Sequence, residues 1–311
     1  MVITVTFSPA VDYIVDLDAF SVGEINRART EKILPGGKGI NVSRVLNNLG
    51  MRSVATGFLA GFTGQYIEDK LAEEGIRTDF VHISGTTRVN WKIKSPKETA
   101  INGIGPIPTK EDLDKLFAKI FAYGSRDEDG KQNLVCFCSK LPGQMDPSAL
   151  DPYFKRLNEL GIDFMVDYYG EALLTALKYQ PFFVKPNKEE IEETLNVKIE
   201  SYDDAIKAGE ALKRMGAKNV IVSLGSKGAV LCCDDGGGDI VPCPEGKVIN
   251  TVGSGDSLVA GFVYGIQRGK NIHDAICLAV ACGSASAFSE DLATKEEVVQ
   301  ILQREFPKIS L

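Results

Sequence analysis

Short apolar runs rich in β-branched residues recur along this chain at 2–7, 53–59, 134–138, 163–166, 182–184, 220–224 and 229–233. Helical patterns stand between many of them, at 40–49, 65–74, 110–122, 147–160, 203–215 and 256–267. That rhythm constrains the fold more than anything else in the sequence. Strands that read as continuous apolar runs bury both faces, and helices between them supply the cover. Alternation of this kind predicts βαβ units and an α/β fold, with a mostly parallel central sheet flanked by helices. In such sheets ligands gather at the carboxyl ends of strands, where glycine-rich turns feed helices, so chemistry is expected there.

Two segments break the rhythm. Residues 11–35 and 85–103 hold β-compatible runs at 13–17 and 89–95 with no helix between them. They predict a small β-sheet lid over the site. Residues 1–10, 36–84 and 104–311 then form the major α/β domain. The charged cluster Lys92-Ile93-Lys94-Ser95-Pro96-Lys97 reads as a solvated turn.

Composition narrows the function classes. Net charge is −7, from 42 acidic and 35 basic residues, and no Lys/Arg block is present, so a nucleic-acid partner is not expected. The chain has no uncharged apolar stretch long enough to span a membrane and no signal-like start. Seven cysteines form no CxxC pair, consistent with buried reduced thiols and a cytoplasmic setting. With only two histidines, proton transfer falls to carboxylates.

The segment richest in chemistry is Asn250-Thr251-Val252-Gly253-Ser254-Gly255-Asp256-Ser257, which runs into the apolar stretch Leu258-Val259-Ala260-Gly261-Phe262. Glycines allow backbone shapes that side chains forbid, and a helix starting here points its free amides and positive end at the loop. That arrangement is an anion cradle suited to phosphate oxygens. Asp256 sits at the helix start, where it could also cap the helix. The chain has neither the GxxxxGK[ST] phosphate loop nor the third glycine of a dinucleotide fingerprint.

Four motifs in order resemble the ribokinase-like, or PfkB, carbohydrate kinase family. They are Gly36-Gly37-Lys38-Gly39-Ile40-Asn41, Lys185-Pro186-Asn187-Lys188-Glu189-Glu190, Ser223-Leu224-Gly225-Ser226-Lys227-Gly228 and the Gly253–Asp256 segment, and they span most of the chain. The resemblance implies a ribokinase-like fold and transfer of phosphate from ATP to a sugar hydroxyl. It makes Asp256 the catalytic base and Gly253, Ser254 and Gly255 the anion hole. Asn187 and Glu190 resemble the NxxE pair that organises the water shell of Mg²⁺. Lys185, Asn187, Ser223, Gly225, Ser226, Gly228 and Gly255 correspond to nucleotide-binding positions.

On the acceptor side the resemblance implies Asp12, Gly36, Gly37, Lys38 and Asn41, with Ser8 standing where the family usually has Asn. Thr87-Arg88-Val89-Asn90 resembles the TRxN segment of the sugar-phosphate branch, with Arg88 and Asn90 on the substrate and Arg88 as a fork for its phosphate. Arg27 and Arg29 offer further positive charge. Ser139 aligns with a family substrate contact, although Cys138 replaces a glycine there and Leu141-Pro142 is displaced by one position. Runs 87–94, 98–106 and 281–293 resemble most closely the branch that phosphorylates fructose 1-phosphate at its 6-hydroxyl. Kinases of tagatose 6-phosphate and fructose 6-phosphate share the same motifs, and a sugar-phosphate sensor on the kinase fold is the non-enzymatic alternative. A homodimer through the lid is a further expectation of the resemblance.

Overall fold

The computed structural model describes residues 1–143, 145–233 and 238–311. The strands are β1 (Val2–Thr6), β2 (Ala10–Asp16), β3 (Thr30–Gly36), β4 (Ser53–Leu59), β5 (Arg77–Thr78), β6 (Val81–His82), β7 (Arg88–Lys94), β8 (Thr99–Asn102), β9 (Leu134–Phe137), β10 (Asp163–Val166), β11 (Phe183–Val184), β12 (Val220–Ser223), β13 (Ala229–Cys232) and β14 (Gly238–Val241). The helices are α1 (Lys38–Asn48), α2 (Gly61–Glu73), α3 (Lys110–Tyr123), α4 (Asp151–Glu159), α5 (Gly170–Leu177), α6 (Lys188–Leu195), α7 (Tyr202–Arg214), α8 (Ser254–Gln267), α9 (Ile272–Ala287) and α10 (Lys295–Glu305).

The large sheet runs β14-β13-β12-β11-β10-β9-β1-β4-β5, with β6 also paired to β4. All its pairs are parallel except β12–β13 and β13–β14. β1, β4 and β9 are buried along their whole lengths, as continuous apolar runs under helices require. On one face Phe7, Phe117, Phe137, Phe154 and Phe164 form a chain of ring contacts beneath α3 and α4. On the other lie α1, α8 and α9, whose apolar residues share one core with β9 and β12.

Contact between α8 and α9 is unusually close because small residues line it. A methyl group at Gly261 would lie 2.7 Å from the Leu278 carbonyl oxygen, and one at Gly265 would lie 2.9 Å from Ala275 Cα. Every residue of α8 from Asp256 to Gly265 is buried. The first turn of α8 is therefore held rigidly by packing along the helix behind it. Because β1 has β4 on one side and β9 on the other, the sheet grows in opposite directions from this point. A crevice opens at the carboxyl ends of the strands where the order reverses, as this topology dictates.

The second sheet has the order β3-β2-β7-β8 and comes from the two segments that lack helices. β2 pairs with β7 in parallel, setting Asp12 opposite Asn90 and Tyr13 opposite Trp91. Lys32 on β3 reaches Asp291 of the large domain at 3.1 Å, and the Tyr66 hydroxyl donates to the Ile33 carbonyl at 2.8 Å.

The cluster 92–97 corrects the turn expectation. Lys92, Ile93 and Lys94 belong to β7, and only 95–97 bend away. Pairing with β2 and β8 satisfies the backbone there, and Ile93 is buried while its lysine neighbours turn to the other face. Two other elements differ. The stretch 147–160 divides into a 3₁₀ turn, Pro147–Leu150, and α4, with Asp146 capping the turn. α5, α9 and α10 were not anticipated; α9 is apolar on nearly every side, so it shows no amphipathic stripe.

Candidate active site

Gly253 takes φ 81°, a left-handed shape that favours glycine, and turns the chain from the 250–252 loop into α8. Its Cα faces Leu292 so closely that a methyl would lie 2.5 Å from Leu292 Cδ2. The first intrahelical bond is Ser257 N to the Gly253 carbonyl at 2.8 Å, and the Ser254 amide donates to the Thr251 carbonyl at 3.3 Å. This leaves the Gly255 and Asp256 amides at the helix end without a backbone partner among the described residues. The Ser254 hydroxyl is buried with no partner among the described residues, a second kind of donor at the same turn. Gly255 is open: a methyl there would meet only Lys185 Nζ, at 3.7 Å. Gly253, Ser254 and Gly255 thus frame a pocket of donors backed by a lysine.

Asp256 is 8% exposed, and Asn41 Nδ2 donates to its Oδ2 at 2.8 Å. Burial pushes its carboxyl up to about 6, with Asn41 opposing, Asp167 reinforcing, and Lys38 and Lys185 opposing. A carboxylate with that proton affinity is ionised at neutral pH and still a competent proton acceptor.

Asp167, immediately after β10, is the functional residue the sequence reading missed. It lies 3.0 Å from Lys38 Nζ and 3.3 Å from Lys185 Nζ. These contacts are ion pairs without aligned hydrogen bonds. Burial alone would raise its proton affinity; Lys185 and Lys38 outweigh that and hold the carboxyl below the usual carboxylate range. Lys38 is affected in reverse. Burial works against its charge, while Asp167, Glu190 and Asp256 more than compensate and raise its proton affinity. A polar residue ending an apolar run in a parallel sheet was the available signal, since strand ends face the crevice.

Asn187 and Glu190 form a reciprocal cap on α6. Asn187 Oδ1 accepts from the Glu190 amide at 2.8 Å, and Glu190 Oε2 accepts from the Asn187 amide at 2.9 Å. Glu190 Oε1 remains turned to Lys38, 3.5 Å away. The pair therefore stabilises a helix start and keeps one carboxylate oxygen in the cleft.

These groups line a cleft of about 1030 Å³. Its polar end holds Lys38, Asp167, Lys185, Asn187, Glu190, Gly255 and Asp256, and its far end holds Gly246, Val248, Val280, Ala287 and Phe288. Ser223, Gly225, Ser226 and Gly228 border it too, so all the expected nucleotide positions share one cavity. The apolar far end carried no motif in the sequence. Cys243 also lines the cleft; all seven cysteines are free thiols, and five are buried.

A second cavity, about 360 Å³, lies between the small sheet and the large domain. Asp12, Ile14, Lys92 and Lys94 face it from the sheet, and Asn41, Asn250 and Asp291 from the large domain. Asp12 accepts from Asn90 at 3.0 Å and pairs with Lys92 at 3.1 Å. A methyl at Gly36 would lie 2.6 Å from Asp12 Oδ2, while Gly37, at φ 129°, presses against Thr6. Arg88 donates to the Ser8 carbonyl at 3.1 Å, and its Nε is buried without a partner among the described residues. Burial lowers its proton affinity, with Asp12 opposing. The Ser139 hydroxyl is engaged with the backbone: it accepts from the Ser8 amide and donates to the Lys140 carbonyl. Lys38 lines the larger cleft rather than this cavity, and Gly36, Gly37, Arg88, Asn90 and Ser139 line neither. Arg29 pairs with Asp16 and Asp18 at the surface, and neither Arg27 nor Arg29 lines either cavity.

Asn41 joins the two spaces. It lines the smaller cavity and donates to Asp256, which lines the larger. The carboxylate thus stands at the junction of the two cavities.

The chain is similar to known proteins along most of its length. A model of the pfkB family carbohydrate kinases matches residues 5–298. The chain is 40% identical over 302 residues to a 1-phosphofructokinase of Bacillus subtilis, covering 97% of each. It is 33% identical to a D-tagatose-1-phosphate kinase of Bacillus licheniformis, covering 96% of this chain and 97% of the relative. The crystal structure of phosphofructokinase-2 from Escherichia coli in complex with substrates and products superposes with a TM-score of 0.90 at 26% identity, covering 98% of this chain and 99% of that one.

Proposed function

Because this chain belongs to the pfkB family of carbohydrate kinases, we propose that it transfers the γ-phosphoryl group of ATP to the 6-hydroxyl of fructose 1-phosphate, giving fructose 1,6-bisphosphate. One observation carries the reading: Asp256 stands at the junction of the two cavities, fixed by Asn41 and adjoining the amide cradle of α8. Phosphoryl transfer requires alignment and charge stabilisation more than covalent participation by the protein. Asp256 accepts the proton of the attacking hydroxyl. The first-turn amides of α8 and the Ser254 hydroxyl receive the oxygens of the travelling group, with Lys185 and Lys38 beside them.

The donor set fits Mg²⁺ held mainly by nucleotide phosphates and water. Among the described residues no group of three or more His, Cys, Asp or Glu could enclose a metal, and Mg²⁺ tolerates such sparse protein ligation. Glu190 and Asp167 offer carboxylate oxygens at the polar end of the cleft, and Asn187 orders the turn that carries Glu190. The ion would neutralise charge on the β- and γ-phosphates.

On the acceptor side, Asp12 and Asn41 bind sugar hydroxyls, Gly36 and Gly37 let the backbone approach, and Arg88 and Asn90 are assigned to the acceptor phosphate, while the Ser139 hydroxyl is already held by the backbone. The small sheet closes as a lid that excludes water from ATP. Its outward residues include Trp91 stacked near Tyr13, with Ile33 and Ile101 exposed, and these suit a homodimer through the lid. Sedimentation of the free protein as a monomer would exclude that assembly.

The likeness to a D-tagatose-1-phosphate kinase favours one second reading, the same transfer to the C4 epimer of the acceptor. Comparing kcat/KM on fructose 1-phosphate, tagatose 1-phosphate, fructose 6-phosphate and tagatose 6-phosphate decides between them. The proposal fails if fructose 1-phosphate is not the best substrate. A sensor without catalysis predicts no ketose-phosphate-dependent ATP consumption, whereas the kinase consumes ATP and its Asp256→Asn variant does not.

A further inference from the structure

β7 presents Arg88, Asn90 and Lys92 at every second position, and the strand pleat sends such residues to one face. Two of the three hold the same group. Asn90 Nδ2 donates to Asp12 Oδ1 at 3.0 Å, and Lys92 Nζ stands 3.1 Å from Asp12 Oδ2. Gly36 closes the remaining side, since any side chain there would strike that carboxylate. The Lys92 and Asp12 side chains are only 20% and 15% exposed, and both line the smaller cavity. This is not a solvated surface pair of the kind that contributes little.

The site poses an electrostatic problem. A carboxylate is a good acceptor for sugar hydroxyls, but it repels a phosphorylated sugar that carries about two negative charges. The body of the enzyme faces the same difficulty at Asp167, where Lys38 and Lys185 cancel the charge. Lys92 supplies the corresponding cation on the lid.

We propose that Lys92 is a positioning residue for the phosphorylated acceptor: it locks Asp12 in the orientation that receives sugar hydroxyls and cancels its charge against the acceptor phosphate. The inference rests on the kinase reading above. It assigns to Lys92 control of acceptor affinity, separate from ATP affinity and from the phosphoryl-transfer step.

Steady-state kinetics on the whole protein test it with fructose 1-phosphate and ATP varied separately. Lys92→Met is expected to raise KM for fructose 1-phosphate about tenfold or more, with kcat and the KM for ATP changed by no more than about twofold, the pattern of lost uniform binding. Lys92→Gln should behave the same way, keeping the test open if the methionine variant folds poorly. Lys92→Arg should restore most of the affinity. Lys97→Met, which removes an equal charge from the exposed turn after the strand, should change nothing. In the cycle with Asp12→Asn, the double variant should bind acceptor no worse than Asp12→Asn alone, because the two residues act as one unit. Unchanged acceptor KM in both neutral variants, or additive losses in the cycle, would overturn the inference while leaving the kinase reading intact. Wild-type protein inactive on every ketose phosphate would overturn the kinase reading and this inference with it.

Discussion

Two buried aspartates share the larger cleft, both nearly sealed from water, and they hold protons in opposite ways. Asp256, on the first turn of α8, has one direct donor in Asn41, and burial pushes its carboxyl up to about 6. Asp167, at the end of β10, lies between Lys38 and Lys185 and is held below the ordinary carboxylate range. Burial is common to both, so it cannot be what separates them. The neighbours decide: at Asp256 the amide of Asn41 and the more distant lysines offset burial only in part, while at Asp167 two adjacent ammonium groups outweigh it. One position is thereby suited to accept a proton and the other to hold two ammonium groups in the cleft.

The contrast can be broken most directly at Asp256. Asp256→Asn keeps the shape and the helix start but removes the proton acceptor, so kcat should fall by about 10²–10⁴ or more with the melting temperature preserved. Substantial residual turnover in that variant would transfer the role of base elsewhere. The matching change at Asp167 should act on stability instead. Asp167→Asn leaves two lysines facing each other, one of them 4% exposed, and should cost about 3–5 kcal/mol in urea unfolding. An unchanged midpoint would show that solvent, not Asp167, compensates those lysines.

Smaller effects sharpen the same comparison. Gly255→Ala puts a methyl into the open cradle near Lys185 without helix strain, so kcat should drop about a hundredfold through misplacement of the phosphoryl group while stability holds or rises. In a pH series, Asp256 must be ionised to act, so kcat/KM should be level above about 6 and fall tenfold per unit below it. Asp167, held low by its lysines, should add no inflection in that range. Asn187→Ala removes only a cap whose helix is otherwise intact, and about 1 kcal/mol of stability should go with it.

The same pair of residues explains how much could be read in advance. The turn that carries Asp256 was legible because its signal is local: two glycines, a serine and a run of small apolar residues follow one another in the chain. Asn187 and Glu190 were legible for the same reason, three residues apart on one helix turn. Asp167 was not, since the lysines that define it come from α1 and from the end of β11. Lys92 was misread as part of a solvated turn because its charge was visible and its partner, on β2, was not. The apolar end of the cleft escaped notice for a related reason: Gly246, Val248, Val280 and Phe288 share no spacing and meet only after folding.

Local pattern along the chain was sufficient for the alternating layers, the mostly parallel sheet, the separate β segments and the glycine turn that opens α8. Each of these leaves its mark in patterns among residues close in sequence, where backbone geometry and hydrophobic period leave few alternatives, even where the strand pairings themselves are distant. Packing alone decided the charge state of each cleft carboxylate, the bridge from Asn41 to Asp256 between two cavities, and the grip of Lys92 on Asp12. Electrostatics and desolvation act through space, over a few ångströms and without regard to chain distance, so those properties exist only once the strands and helices have come together.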